Sequence, residues 1–382
     1  MKNCFLAGVL LLVTLVAQSQ EKDSSRFDGI KINVPKTEME LQFNNQFWDI
    51  MTLNNETAEQ DGFRNDLYIR RGRIGLQGTT FDKFDFSISL AYDGIGKTES
   101  MKMFGLSNSD DAALSLLDAY VTYKLLQPLN ITFGYFRPQI GRESITSSFY
   151  CLGFDKALTN SDLREHMVGR NTGREAGLNL GGLIGENLIS LNYNLGVFNT
   201  TSSDIIGTDE NVKNDALYTG RLALSIGAPE LDSYKIKYTQ TYYGTRKGVT
   251  LAYNQSYQGK TGMFQSNQVS GADLLLNYGG LDLAAEYDWL KRDTMNGAEK
   301  VKTRDEVYSI KAAYYIIVWK NKLLQPGYAF TESVNGKSTI FHDAGVNLLM
   351  YEDKLKLGLH YIWGKEGGDE YQFITAGLQM MF

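Results

Sequence analysis

The chain is poor in cysteine and proline and carries no basic tract. Past its first residues it has no apolar run long enough to cross a bilayer as a helix. Each shortage removes a class of protein. Only Cys4 and Cys151 occur in 382 residues. Cys4 lies within the leader described below and too early to be a lipidated cysteine. The exported chain then keeps one thiol and can form no internal disulfide. The five prolines are Pro35, Pro128, Pro138, Pro229 and Pro326. A residue without a backbone donor belongs outside strand interiors, and all five are expected in turns or at strand ends. The net charge of −6, with no Lys/Arg cluster, argues against a nucleic-acid partner. The lack of a run of ~18 apolar residues after the N-terminus excludes a helical membrane bundle.

Catalytic signatures are missing too. No G-x-S-x-G elbow, H-E-x-x-H or P-loop is present. The histidines are His166, His342 and His360. His342 and Asp343 are adjacent, so on a strand they point to opposite faces. His360 falls on the polar face of its segment, as a pore-lining residue would. Asp110-Asp111 reads as a solvated loop pair, with a calcium contact as the alternative. No enzyme, metal or cofactor is implied.

What the chain does have is an export leader followed by repeated alternation. Lys2, the apolar stretch Leu6–Ala17 and Ala17-Gln18-Ser19 have the charge, grease and small-x-small order of a secretory signal peptide over residues 1–19. Losing Lys2 takes the net charge from −6 to −7. Residues 20–37 then form a periplasmic N-terminal segment. From there, segments of about ten residues alternate apolar and polar, the length of a tilted strand across a bilayer. In 81–93, Phe84, Phe86, Ile88, Leu90 and Tyr92 share one face, and Asp85, Ser87, Ser89, Ala91 and Asp93 the other. Twenty-three tyrosines and nineteen phenylalanines suit aromatic girdles at membrane interfaces. A mean hydropathy of −0.28 fits a barrel whose strands are half polar.

About sixteen such segments can be marked: 38–49, 66–78, 81–93, 115–125, 128–138, 173–182, 187–198, 215–227, 247–257, 269–278, 281–292, 305–317, 325–333, 339–350, 354–365 and 370–382. Long polar links (50–65, 94–114, 139–172, 199–214) alternate with tight ones. The expectation is an all-β transmembrane antiparallel barrel over 38–382, with long extracellular loops and short periplasmic turns. Segment 229–246 alternates weakly through Tyr234, Ile236 and Tyr238. It is read as a long turn, because another strand would make the count odd. Soluble sandwiches have shorter strands and a core-filling face. A solenoid would show a fixed repeat.

Several stretches resemble the phosphate-selective porin O and P family. They are Phe27–Ile32 (FDGIKI), Tyr68–Gly78 (YIRRGRIGLQG), Leu117–Val121 (LDAYV), Gly134–Pro138 (GYFRP) and Arg170–Gly177 (RNTGREAG). The resemblance runs in order along most of the exported chain and is densest before residue 200. It implies a sixteen-stranded porin of the bacterial outer membrane, a homotrimer surrounded by outer-membrane lipid. It also implies a third loop, about 139–172, folded into the lumen, and passive diffusion of small solutes with a bias toward anions such as phosphate. A second reading is a non-conducting barrel that acts as an adhesin or structural protein through its loops.

Strand parity assigns the lumen charges. Arg71, Arg73, Gln77, Lys124, Arg221, Lys311 and Lys356 point inward. So do Glu38, Glu40, Asp85, Asp93, Asp118, Asp273, Asp282, Glu286 and Asp288. The wall is therefore mixed, with a transverse field rather than a uniformly basic well. In the third loop, Arg142, Lys156, Arg164, His166 and Arg170 face Glu143, Asp155, Asp162 and Glu165. Either these charges pin the loop to the wall, or Arg142, Arg164 and Arg170 join Arg71 and Arg73 at a constriction that holds anions. The pore and anion-binding candidates are thus Arg71, Arg73, Arg142, Arg164, Arg170, Lys124 and Arg221. Arg137 shares parity with Phe133 and Tyr135 on the outer face, and is expected either to snorkel at the rim or to point elsewhere once Pro138 ends the strand.

Overall fold

The structure is a computed structural model that describes residues 36–53, 64–95, 114–169, 172–185, 188–199, 215–262, 264–296, 299–319, 322–351 and 354–382. The leader, most of the N-terminal segment, Asp110-Asp111 and Arg170 lie outside the described residues. The strands are β1 (Thr37–Thr52), β2 (Arg64–Thr80), β3 (Phe84–Ala91), β4 (Ser115–Leu126), β5 (Leu129–Phe136), β6 (Glu175–Ile184), β7 (Ile189–Phe198), β8 (Leu217–Gly227) and β9 (Gly248–Gln258). They continue with β10 (Ser266–Tyr278), β11 (Leu281–Asn296), β12 (Glu299–Tyr314), β13 (Ile316–Trp319), β14 (Lys322–Val334), β15 (Ser338–Met350), β16 (Leu355–Glu366) and β17 (Asp369–Met381).

Each strand pairs antiparallel with its neighbour in sequence, and β17 returns to β1, with Met381 opposite Asn44 and Phe373 opposite Thr52. Closure leaves no free edge, the condition for a sheet to exist in hydrocarbon. β12 and β13 both pair with β14 and form one strand interrupted at Tyr315, so the wall has sixteen strands. The interruption lies opposite Pro326, which sits inside β14 and pairs with Val346 on its other side. This corrects the expectation that every proline avoids a strand. The ladder gives way where Pro326 has no donor to offer.

The faces follow the alternation. Ile88 is 49% exposed on the outside, and its neighbour Ser87 is 4% exposed on the inside. Leu195, Leu222, Leu251 and Ile310 are likewise exposed outward, an arrangement stable only against lipid. His342 stacks on Trp363 at 4.9 Å, whereas Asp343 bonds His360 at 2.5 Å inside the barrel.

The connections depart from the expected plan in two ways. One rim carries long links among β1–β8, but its later links are tight: 297–298, 335–337 and 367–368. The opposite rim has short turns, such as Gly279-Gly280 with φ of 57° and 90°, where glycine relieves strain. Its exception, residues 228–247, does not stay at the rim. Tyr234, Ile236 and Tyr238 are all buried. The tyrosine hydroxyls bond Asn194 and Asn192 of β7, each at 2.8 Å. The weak alternation marked a real extended arm, folded inside the barrel instead of across its end.

Candidate pore and its constriction

Two inward segments meet in the lumen. β5 stops at Phe136, and Pro138 helps turn the chain inward. The loop then forms α1 (Arg142–Ile145) and α2 (Leu158–Val168), which Gly169 closes in the left-handed region at φ 67°. From the other rim the 228–247 arm rises to meet it. Thr146 and Tyr238 form a parallel bridge, and Gln240 donates to Glu143 at 2.5 Å.

Arg142 joins loop, arm and wall. It donates to both oxygens of Glu230 at 2.6 and 3.2 Å and to Asp273 of β10 at 2.7 Å. Arg221 of β8 forks onto the same Asp273. All of these groups are buried. Glu143 takes Lys311 at 3.0 Å, and its backbone N–H donates to Glu286 at 2.6 Å. Burial alone would raise the Glu143 carboxyl, but Lys311 and Lys156 hold it below its ordinary value. Breaking one partner of such a buried pair costs about 3–5 kcal/mol, so the loop is anchored firmly on this side.

The second anchor depends on a bulge. The β1–β2 register shifts between Gln46 and Phe47: Gln46 faces Arg71, Phe47 faces Ile69, and Arg70 is the extra residue. A bulge re-aims a side chain, so Arg70 turns inward beside Arg71 instead of toward lipid. Together they grip Asp155, Arg70 at 2.8 Å and Arg71 at 2.6 Å. Against the effect of burial, the two guanidiniums hold the Asp155 carboxyl far below the usual range. Lys124 pairs with Asp85 at 2.7 Å, and Arg73 with Asp93.

What stays open is a cavity of about 610 Å³ along β1–β5, lined among others by Gln77, Arg73, Asp118, Arg137, Arg174 and Lys237. Arg137 does not snorkel outward. Because the strand ends one residue earlier, its guanidinium enters the lumen and donates to the carbonyls of Ser144 and Thr146 at 2.7 and 2.8 Å. Arg174 bonds Asp118 at 3.1 Å, and Lys237 reaches Ser87 at 3.1 Å. Arg164 lies over Gly173, whose φ of 63° suits glycine and whose missing side chain makes room for the arginine stem. Among the described residues, the Arg164 side chain makes no hydrogen bond or ion pair, and its buried Nε has no partner. Burial, then Arg174 and neighbouring cations, push both Arg137 and Arg164 well below the usual arginine value. After burial, the crowding of Arg137, Arg164 and Arg174 contributes to this direction, and Asp118 and Asp155 oppose it.

The seven candidates thus separate. Arg142 and Arg221 are sealed in the anchor, where no solute reaches them. Arg71 holds the loop, and Lys124 and Arg73 pair with wall acids. Arg164 is free, and Arg170 is not described. Parity missed Arg70 because a bulge breaks it, whereas Arg137 takes the second of its two expected courses, turning away where the strand ends. Lys237 was missed because its segment was read as a turn, although the spacing of its tyrosines was visible.

No curated protein matches the chain. Among solved structures, the anion-selective porin from Comamonas acidovorans is similar with a TM-score of 0.61 at 12% identity, covering 91% of this chain and 100% of that one. OmpF of Salmonella typhi, in complex with daunomycin, gives 0.59 at 13% identity, covering 92% and 100%. The outer membrane channel DcaP of Acinetobacter baumannii gives 0.54 at 13%, covering 93% and 99%. Identities this low speak for the fold. The sequence profile described as phosphate-selective porin O and P matches residues 39–322. With a closed sixteen-stranded wall, an oily exterior and a charged interior around a narrowed passage, the chain belongs to the phosphate-selective porin O and P family and is a porin of the bacterial outer membrane.

Proposed function

We propose that small anions, with phosphate as the reference solute, diffuse through this porin along the β1–β5 side of the lumen. In this reading Arg164, Arg137, Arg174 and Lys237 supply the selecting field, and no catalytic step is involved. The observation that carries it is Arg164: a cation with no acid partner among the described residues, next to other arginines. An entering anion would relieve that repulsion, and guanidinium forks suit phosphate oxygens. Asp93 and Asp118 moderate the field by pairing with Arg73 and Arg174, so an ion is attracted without being trapped. Arg170 is carried with this group as a further candidate from the sequence. A homotrimer is proposed by analogy with porins, among them OmpT of Vibrio cholerae, solved in a trimer form.

The test is the reversal potential of the purified porin in a planar bilayer under a KCl gradient. Anion preference, with phosphate reducing the chloride current, is expected. A cation-selective reversal potential overturns the proposal.

A further inference from the structure

The outer face of the β11–β12 hairpin carries charge that the pore does not use. Both strands run 16 residues, beyond the ~9–11 needed to cross the bilayer, so their loop-rim ends stand above the hydrocarbon. Parity is fixed by Trp289, exposed outward, and Leu290, buried inward. Lys291 and Arg304 are therefore outward and directly opposite each other, one step above the Trp289–Glu306 pair. The next outward pair is Asp293 opposite Lys302. All three cations are exposed.

Like charges directly opposite on a strand pair are destabilising, as at Lys291 and Arg304, whereas Lys302 has the carboxylate of Asp293 opposite it. Glu306 accepts from the Tyr287 hydroxyl, and Asp293 pairs with Lys300 at 2.7 Å. Among the described residues, Lys291, Lys302 and Arg304 make no ion pair.

Directly below lies a groove of about 580 Å³ on the lipid-facing surface of β7–β12. Its floor is made by the small Ala272 and Ala285, and its flanks by Leu222, Leu251, Leu274 and Ile310. At the groove's cation-side end, its lining residues Tyr287 and Tyr308 stack at 5.5 Å, and Tyr287 meets Trp289 at 4.6 Å. Such an aromatic layer marks the level where acyl chains give way to headgroups.

We propose that this face binds one phosphorylated, multiply acylated glycolipid of the outer leaflet. Its phosphate sits on Lys291, Lys302 and Arg304, and an acyl chain fills the groove over Ala272 and Ala285. A vertical order of cations, aromatics and apolar trough matches the order of phosphate, sugar and acyl chain. Basic groups at this level attract the phosphates of an anionic lipid. A lipid with both features engages the whole face, whereas a free phosphate engages only its top.

The porin, purified in detergent and delipidated, is incubated with diphosphorylated lipid A, and bound lipid is counted by native mass spectrometry. One retained lipid per protomer is expected. The exposed triple substitution Lys291→Ala, Lys302→Ala and Arg304→Ala should lower retention at least tenfold. Its single-channel conductance, which reports folding and the lumen, should stay unchanged. Ala272→Leu should lower retention of the lipid and leave the cations intact. Equal retention by the triple variant, or equal retention of the dephosphorylated lipid, overturns the proposal. So does cross-linking that shows a second copy of the chain covering the groove.

Discussion

Two charged residues of the same loop should behave in opposite ways. Asp155 is fully engaged by Arg70 and Arg71, so Asp155→Ala leaves two buried guanidiniums without their acid, a loss of about 3–5 kcal/mol of loop anchoring. The barrel should still assemble, since its ladder is untouched. The loop should become cleavable by protease, and the single-channel current noisy. Arg164 anchors nothing, so Arg164→Ala should leave the loop protected and the current quiet while moving the reversal potential toward zero. If Arg164→Ala exposes the loop as Asp155→Ala does, its role is structural. A second pair of substitutions tests the faces of the wall. Ile88→Arg puts a guanidinium into lipid at a cost of roughly 2–4 kcal/mol and should sharply reduce the heat-modifiable folded band on gels. Gln77→Arg, opposite Ser87 on the lumen face, should fold normally and strengthen anion preference. Equal folding of both variants contradicts the assignment of faces.

Elements with strict alternation were legible in the sequence; those that break it were not. Period two locates the sixteen wall strands, most of them to within a few residues and β12 six residues late at its start, because each must show one face to lipid and one to water. The β2 bulge at Arg70 carries no marker in composition, and two arginines in a row look like one inward and one outward. The arm 228–247 shows the reverse difficulty. Its pattern is that of a strand, but nothing local says that its partners are lumen asparagines rather than a ladder. Helix α2 is a third case, because its sequence LTNSDLREHMV has no clear apolar face. Burial of α2 raises the carboxyl of Asp162, on its inner side, to about 6. Its pKa is above the unfolded carboxylate value of ~3.9, so ionisation disfavours the docked helix. That penalty grows as pH rises from about 4 to about 6, then levels off. Hydrogen exchange of α2 amides, corrected for intrinsic rate, should therefore quicken across this interval. In Asp162→Asn it should stay flat, and a persistent pH step in that variant would assign the effect to another group.

At the scale of the whole molecule, the bore of a sixteen-stranded barrel is reduced from both ends at once. The third loop and the arm lock through Arg142–Glu230, Gln240–Glu143 and the Thr146–Tyr238 bridge. Together they fill the side walled by β6–β12 and β14–β17 and leave the passage against β1–β5. Porin conductance is set by the narrowest aqueous section, and selectivity by the charges lining it. Here the arm affects both: its bulk closes the far side, and its Lys237 faces Asp118 and Tyr120 of the passage. Replacing residues 231–245 with a short Gly/Ser turn leaves every wall strand and its register in place, so the barrel should assemble. It also removes the support beneath the loop, while Arg70, Arg71 and Lys311 still hold the loop from the wall. Single-channel conductance should rise severalfold and the reversal potential should move toward zero, because a wider section dilutes the field of Arg137 and Arg174 with water and salt. Unchanged conductance would mean that the loop alone sets the aperture and the arm merely fills dead space.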